Sequence, residues 1–377
     1  MEKLRAIFVV LIGLLIGCSS PAVPVPVSTI ESGANISGQP RPEPTRGTCQ
    51  TETIPLPDIS GFDPVNGTGA LAYSGDGLKL FFPETGNLVT IHTDAKPKLA
   101  LGDTALVWSP DAQQIAFFYA VLGLPQECRL GYLMLADLSQ GEVRPLTQVA
   151  GVYSHPAWSP DGARLAFTDR NGGLHVLRVS DGTLSTLSQN VLGAIAPIWL
   201  DDNHVVYLRH QSGAGQDLKA ELVSHPLDGS APSVLLADAP IRDHSFVVSP
   251  DGKRLVYLRG ALYLVDLQNG TERNLGFETS LEELLQWSPN GLYILGRGGQ
   301  SGIFLIHPDA SQAIKQLDFF GRPGVKQAWA PDGNRFAVLI GTEGKSTRIG
   351  VYTVADENLR ELPVEVDRPF ELAWSTR

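Results

Sequence analysis

The sequence predicts an all-β protein: a seven-bladed β-propeller of four-stranded antiparallel blades, with six or eight blades as the alternatives. Three observations lead there. One phrase, an aromatic residue followed by Ser-Pro-Asp-Gly, recurs along the chain. Its eight copies between Tyr73 and Trp374 stand about 43 residues apart on average, the spacing of a four-stranded blade. The 39 Gly and 27 Pro make up about one residue in six of the 377. That density favours short strands and tight turns over a helical bundle.

The strong copies are Trp108-Ser109-Pro110-Asp111, Trp158-Ser159-Pro160-Asp161-Gly162, Val248-Ser249-Pro250-Asp251-Gly252, Trp287-Ser288-Pro289-Asn290-Gly291 and Trp329-Ala330-Pro331-Asp332-Gly333. Weaker copies are Tyr73-Ser74-Gly75-Asp76-Gly77 and Trp199-Leu200-Asp201-Asp202-Asn203, and the last is Ala373-Trp374-Ser375. All six tryptophans occupy the aromatic position. The phrase has the chemistry of a turn: Pro presets φ, Asp accepts from nearby amides, and Gly takes positive φ. Trp108, Trp158, Trp199, Trp287, Trp329 and Trp374, with Asp111, Asp161, Asp251 and Asp332, are therefore read as structural repeat residues.

Each unit continues in the same grammar. A second strand alternates apolar residues, as in Leu165-Ala166-Phe167, Leu255-Val256-Tyr257 and Phe336-Ala337-Val338. A third, such as Leu174–Val179 or Ala261–Asp266, runs into a hairpin at Asp181-Gly182, Asp228-Gly229 or Asn269-Gly270. A fourth returns, as in Thr183–Leu187. One such sheet cannot bury both faces, but sheets stacked radially into a ring can. Seven units already span Tyr73 to Ala373, so Phe370–Ser375 is expected to be a closing strand that shares a blade with Thr51–Leu56.

The repeat resembles the WD-like repeats of TolB-type β-propellers, which also occur in the non-catalytic domain of prolyl oligopeptidases. The resemblance covers residues 66–377 and implies the fold. It carries little about function, because the shared residues serve turns and blade contacts. TolB has an additional N-terminal α/β domain where this chain has a Pro-rich stretch. A prolyl oligopeptidase needs a hydrolase domain with a Gly-x-Ser-x-Gly elbow, and Gly299-Gln300-Ser301-Gly302 lacks that spacing.

The N-terminus reads as an address. Lys3 and Arg5 precede an uninterrupted apolar run from Ala6 to Ile16. As a helix those residues would rise about 16 Å, well short of the ~30 Å hydrocarbon core, so the run suits a signal peptide. Leu15-Ile16-Gly17-Cys18 resembles the lipobox of bacterial lipoproteins, which implies acylation of Cys18 and attachment to the bilayer. Ser19 after the cysteine implies, by the same resemblance, an outer-membrane or cell-surface location. Residues 1–17 are expected to be the lipoprotein signal peptide, 18–48 a tether with six prolines, and 49–377 the propeller. Cys49 and Cys128 are an even pair in an exported chain and are expected to form a disulfide, with two free thiols as the alternative.

Linear catalytic signatures are missing. There is no His-Glu-x-x-His and no Cys-x-x-Cys, so neither a metal nor another cofactor is expected. Gly341–Ser346 resembles the end of a phosphate loop, but Leu339 stands where its first glycine belongs. His92, His175 and His307 fall in strand patterns and His204 and His210 flank a strand, whereas His155 and His244 precede inner strands. In a propeller such entries ring the channel mouth. Arg242, Asp243, Glu282, Glu283, Lys326 and Arg368 occupy comparable entries and complete a candidate mixed-charge binding site. The 122–129 region, read as part of an insertion from Tyr119 to Arg129, carries Cys128.

The net charge of −11 disfavours a nucleic-acid partner. The favoured reading is a monomeric, membrane-anchored extracytoplasmic module that binds a protein or peptide of the cell envelope. The alternatives are a propeller enzyme acting on carbohydrate (a lyase or glycoside hydrolase) with its site at the mouth, and a structural envelope component.

Overall fold

The computed structural model describes residues 61–377 apart from 75–76, 94–98, 102–105, 122–129, 151–155, 170–171, 190, 192–196, 211–219, 240–245, 259–260, 276–280, 299–301, 310–313, 319–326, 341–346 and 367–370. Seven antiparallel sheets form the ring. Blade 1 pairs Leu372–Trp374 with Leu71–Ser74, Gly77–Phe82 and Asn87–Thr93. Blade 2 holds Val107–Trp108, Gln114–Val121, Leu130–Asp137 and Glu142–Ala150. Its second strand also pairs with a short fifth strand, Leu99–Leu101. Blade 3 holds Ala157–Trp158, Arg164–Thr168, Leu174–Arg178 and Leu184–Ser188, and blade 4 holds Ile198–Asp201, His204–His210, Ala220–Pro226 and Ser233–Ala239. Blade 5 comprises Phe246–Val248, Arg254–Leu258, Leu262–Asp266 and Glu272–Asn274. Blade 6 comprises Leu281–Trp287, Ile294–Gly298, Gly302–Ile306 and Ile314–Asp318, and blade 7 Ala328–Trp329, Arg335–Ile340, Thr347–Thr353 and Asn358–Val366.

The closing strand completes blade 1. Leu372–Trp374 pairs with Leu71–Ser74, with Leu71 opposite Trp374 and Tyr73 opposite Leu372, while Thr51–Leu56 lies outside the described residues. Tyr73 is therefore in a second strand and does not occupy the aromatic position of its blade; Trp374 does. Eight phrases reduce to seven blades because the Tyr73 copy is a local turn sequence with no first strand of its own. The Ser375 amide donates to Ala70 O at 2.9 Å and the Gly69 amide to Arg377 O at 2.7 Å, so the two chain segments complete one turn together. Tyr119 also departs from the expectation: it pairs with Tyr132 inside a strand that runs to Val121, because its buried ring continues the apolar alternation.

The repeated turn has one hydrogen-bond pattern. In blade 2 the Ser109 hydroxyl donates to Asp111 Oδ1 at 2.6 Å and accepts from the Gln114 amide at 2.8 Å. The same Asp111 oxygen accepts from the Gln113 amide at 3.0 Å. Ser159 with Asp161, Ser249 with Asp251 and Ser288 with Asn290 repeat the arrangement. Gly162, Gly252, Gly291 and Gly333 follow at φ between 67° and 71°, a conformation that costs a residue with a Cβ about 1–2 kcal/mol. Blade 2 places Ala112 there at φ 60°.

The tryptophans bolt neighbouring blades together. The indole N–H of Trp108 donates to Ala373 O, Trp158 to Val107 O, Trp199 to Ala157 O, Trp287 to Val247 O and Trp329 to Gln286 O, at 2.9–3.3 Å. Each acceptor immediately precedes the aromatic position of the previous blade. On three junctions that previous blade also sends a planar group over the indole. Arg254 lies 4.9 Å above Trp287, Tyr293 stacks on Trp329 at 6.4 Å, and Arg335 lies 5.7 Å from Trp374. Burial between blades supplies the bulk of the cohesion, as in the cluster of Ala166, Leu174, Trp199, Val205 and Tyr207 between blades 3 and 4.

Candidate functional site

The first strands are short because they crowd the ring axis, and their residues line a central cavity of about 620 Å³. Its described lining is largely apolar, with the polar residues confined to blades 6, 7 and 1. Leu106, Val107, Pro156 and Ala157 of blades 2 and 3 make an apolar wall. Gln286, Gln327 and Glu371, from the consecutive blades 6, 7 and 1, contribute polar groups. Gln327 is 6% exposed and Glu371 3%. Among the described lining residues Glu371 is the only ionisable one. The side-chain amides of Gln286 and Gln327 have no hydrogen-bond partner among the described residues. Such a chamber can hold apolar groups against most of its lining while a few side-chain amides orient hydrogen-bonding groups.

Most of the channel-mouth residues picked out from the sequence cannot be compared with this geometry. His155, Arg242, Asp243, His244, Lys326 and Arg368 lie outside the described residues, as do Cys18, Cys49 and Cys128. Glu282 and Glu283 belong to the first strand of blade 6, with Glu283 opposite Arg297 in register. Sequence reasoning missed Gln286, Gln327 and Glu371. The signal for the two glutamines was available. The residue before the aromatic position is apolar at Val107, Ala157, Ile198, Val247, Ala328 and Ala373, and only Gln286 departs from that rule.

Other titratable clusters serve the blades. His175 Nε2 lies 2.9 Å from Asp169 Oδ2, and its Nδ1 lies 3.0 Å from Thr186 Oγ1. A Cβ on Gly173 would fall 2.6 Å from His175 Nε2, so only glycine fits beside this clip. The order hydroxyl, imidazole, carboxylate is that of a nucleophile relay, but Thr186 is exposed on the outermost strand of blade 3, away from the channel. His204 similarly meets Asp201 at 2.9 Å beside its turn. Among the described residues no three His, Cys, Asp or Glu side chains converge as a metal site would require, and no helix is long and apolar enough to cross a membrane.

No family model matches the chain. A TolB homolog of Chlorobium luteolum is 28% identical over 185 residues, covering 46% of this chain and 41% of the relative. YuxL of Bacillus subtilis, described as an uncharacterized peptidase, is 23% identical over 199 residues, 50% of this chain and 28% of the relative. The matched region thus spans less than half the length of either relative. Among solved structures, TolB of Acinetobacter baumannii superposes with a TM-score of 0.52 at 18% identity, covering 83% of this chain and 68% of its own. The fold is TolB-like. The same ring is also similar to a Bacteroides uniformis protein proposed to be a 6-phosphogluconolactonase (TM-score 0.57, 16% identity, 80% of this chain and 98% of that one). An oligogalacturonate lyase in complex with manganese superposes with a TM-score of 0.55 at 14% identity, covering 80% of this chain and 86% of that one. At these identities the structural likenesses speak for the propeller and leave the chemistry to the site.

Proposed function

We propose that the protein is a membrane-anchored extracytoplasmic propeller that binds an extended peptide segment of an envelope protein in its central channel. The observation that carries this reading is the central cavity, largely apolar in its described lining, with Gln286, Gln327 and Glu371 as polar groups from blades 6, 7 and 1. A peptide offers what such a chamber accepts: apolar side chains on one face and backbone amides and carbonyls on the other. The signal-like run with Cys18 supports an acylated, surface-held chain, and the Pro-rich residues 18–48 support a tether that lets a monomeric propeller reach its partner.

The test is in-cell cross-linking with the full-length chain, with Ala157→Phe as the channel-filled variant. Recovery of one partner peptide by wild type and its loss on filling the channel is the expected result. Capture that survives Ala157→Phe, or turnover of an oligosaccharide by the purified chain, would overturn the reading. Cys18→Ser is expected to move the protein from the membrane to the soluble fraction.

A further inference from the structure

We propose that Gln286 and Gln327 clamp one backbone peptide group of the segment held in the channel, so that the site reads the ligand's main chain through neutral hydrogen bonds. The inference rests on the peptide-binding reading above and names the groups that hold the peptide. It starts from a regularity of the ring. Across a junction, the residue just before the aromatic position of one blade shares an apolar cluster with the residue two places before that position in the next. Ala373 and Leu106 share one such cluster, Ile198 and Phe246 another, and Ala328 and Leu372 a third. The equivalent pairs Val107 with Pro156, Ala157 with Pro197, and Val247 with Leu285 are also apolar in sequence. At the junction of blades 6 and 7 the two positions hold Gln286 and Gln327. Both members of this pair are polar, whereas every other pair is wholly apolar.

The state of the two side chains points to a ligand. Both line the cavity. Gln327 is more than nine-tenths buried, and neither amide has a hydrogen-bond partner among the described residues. A buried primary amide is normally hydrogen-bonded, so this pair suits a group that enters the channel. The Trp329 indole donates to Gln286 O at 3.2 Å, which ties the Gln286 backbone to the blade that carries Gln327. The chemistry of two amides then selects the partner. Each offers N–H donors and a carbonyl acceptor. A carboxylate would use only the donors and an ammonium only the acceptors, and the groups left over would cost affinity. A peptide group supplies one acceptor and one donor. Its carbonyl accepts from one glutamine and its N–H donates to the Oε1 of the other. The apolar lining receives the neighbouring side chains.

The test is fluorescence anisotropy with the full-length chain in detergent and two labelled probes. One is a short peptide of alternating Leu and Ala; the other is its depsipeptide, with the same side chains and an ester oxygen in place of every backbone N–H. The peptide is expected to bind about tenfold more tightly than the depsipeptide, the scale of two neutral hydrogen bonds. Gln286→Met and Gln327→Met keep the side-chain length and remove the hydrogen bonding, and each should shrink that ratio. Gln327→Met should leave the melting temperature unchanged, because an amide without a partner adds nothing to the fold. A lowered melting temperature with an unchanged ratio would assign the amide to the fold and overturn the clamp. Equal affinity of the wild type for the two probes, both blocked by Ala157→Phe, or a ratio that survives in both Met variants, would overturn the clamp and leave the peptide-binding reading standing. No binding of either probe, or binding unchanged by Ala157→Phe, would overturn both.

Discussion

Between blades 6 and 7 the Trp329 indole donates to Gln286 O at 3.2 Å, Tyr293 stacks on its face at 6.4 Å, and the Asn290 amide donates to Asp332 O at 3.3 Å. Between blades 4 and 5 the aromatic position holds Val248, and an apolar cluster that includes Val206, Leu222, Phe246, Tyr257 and Val265 spans the gap. Both junctions close the ring, and among the described residues the second does so through apolar burial without an indole bond. The indole N–H contributes direction. It satisfies a first-strand carbonyl at the rim of the channel, fixing the height at which neighbouring blades meet. Blades 6, 7 and 1 carry the polar residues of the cavity lining.

The largest expected effect tests that division of labour. Trp329→Ala removes a buried indole, its hydrogen bond and its stack, and should cost about 3–5 kcal/mol. Val248→Ala removes only methyl groups from the apolar junction and should cost about 2 kcal/mol. Urea unfolding followed by far-UV circular dichroism measures both. Equal losses would mean that the two junctions differ in appearance only.

A second pair sharpens the comparison at the turns. Gly333 has φ 67°, and an added Cβ would lie 2.4 Å from Asn290 Cγ and 2.8 Å from its backbone nitrogen in the preceding blade. Gly162 has φ 71° with nothing nearer than Pro110 Cδ at 3.6 Å. Gly162→Ala should cost about 1–2 kcal/mol, the left-handed conformation alone. Gly333→Ala adds overpacking and should cost about 3 kcal/mol. Ala112 at φ 60°, fully buried, shows that blade 2 accommodates a Cβ at this position.

These cases also show what was legible beforehand. The fold could be read because each blade repeats a turn whose Ser, Asp and Gly have fixed tasks, and because tryptophan marks every blade but one. The Tyr73 copy was misread because it has the right residues in a second strand; a turn sequence cannot tell which strand precedes it. The polar wall was missed because a glutamine carries no motif. Its signal lies in departure from the repeat, as with Gln286 among apolar residues, Val248 among tryptophans, and Asn290 among aspartates.

Asn290 yields a smaller effect of the same kind. Its Oδ1 accepts from the Ser288 hydroxyl at 2.7 Å, as the aspartates do, but its Nδ2 donates to Asp332 O and Asn334 Oδ1, each at 3.3 Å. Asn290→Asp would restore the repeat residue yet place a carboxylate against two acceptors. It should destabilise by about 1 kcal/mol, despite conforming to the repeat pattern, and thermal unfolding would register it. A neutral outcome would mean that this junction depends on Trp329 and Tyr293 alone.

The smallest expected effect is acid weakening of the two blades that flank the unbolted junction. In blade 4, burial, followed by the nearby Arg209 guanidinium, pushes the His225 pKa down, and the Tyr207 ring lies 6.2 Å away. A histidine whose folded pKa lies below its unfolded value of about 6.5 favours folding while neutral. That contribution is present above about pH 6.5 and is lost as pH falls through the folded pKa. In blade 5 the Ser249 hydroxyl, donating at 2.5 Å, leads the causes that hold the Asp251 carboxyl below its ordinary range against the opposing effect of burial. Its contribution persists above about pH 3.9 and disappears on further acidification. Melting temperature against pH should therefore fall in two steps. His225→Gln should remove the upper one and Ser249→Ala should shrink the lower. Amide exchange should rise first in blade 4, where among the described residues apolar contacts are what join it to blade 5. A single step, or exchange that rises first between blades 6 and 7, would show that the tryptophan bolts do not decide where the ring yields.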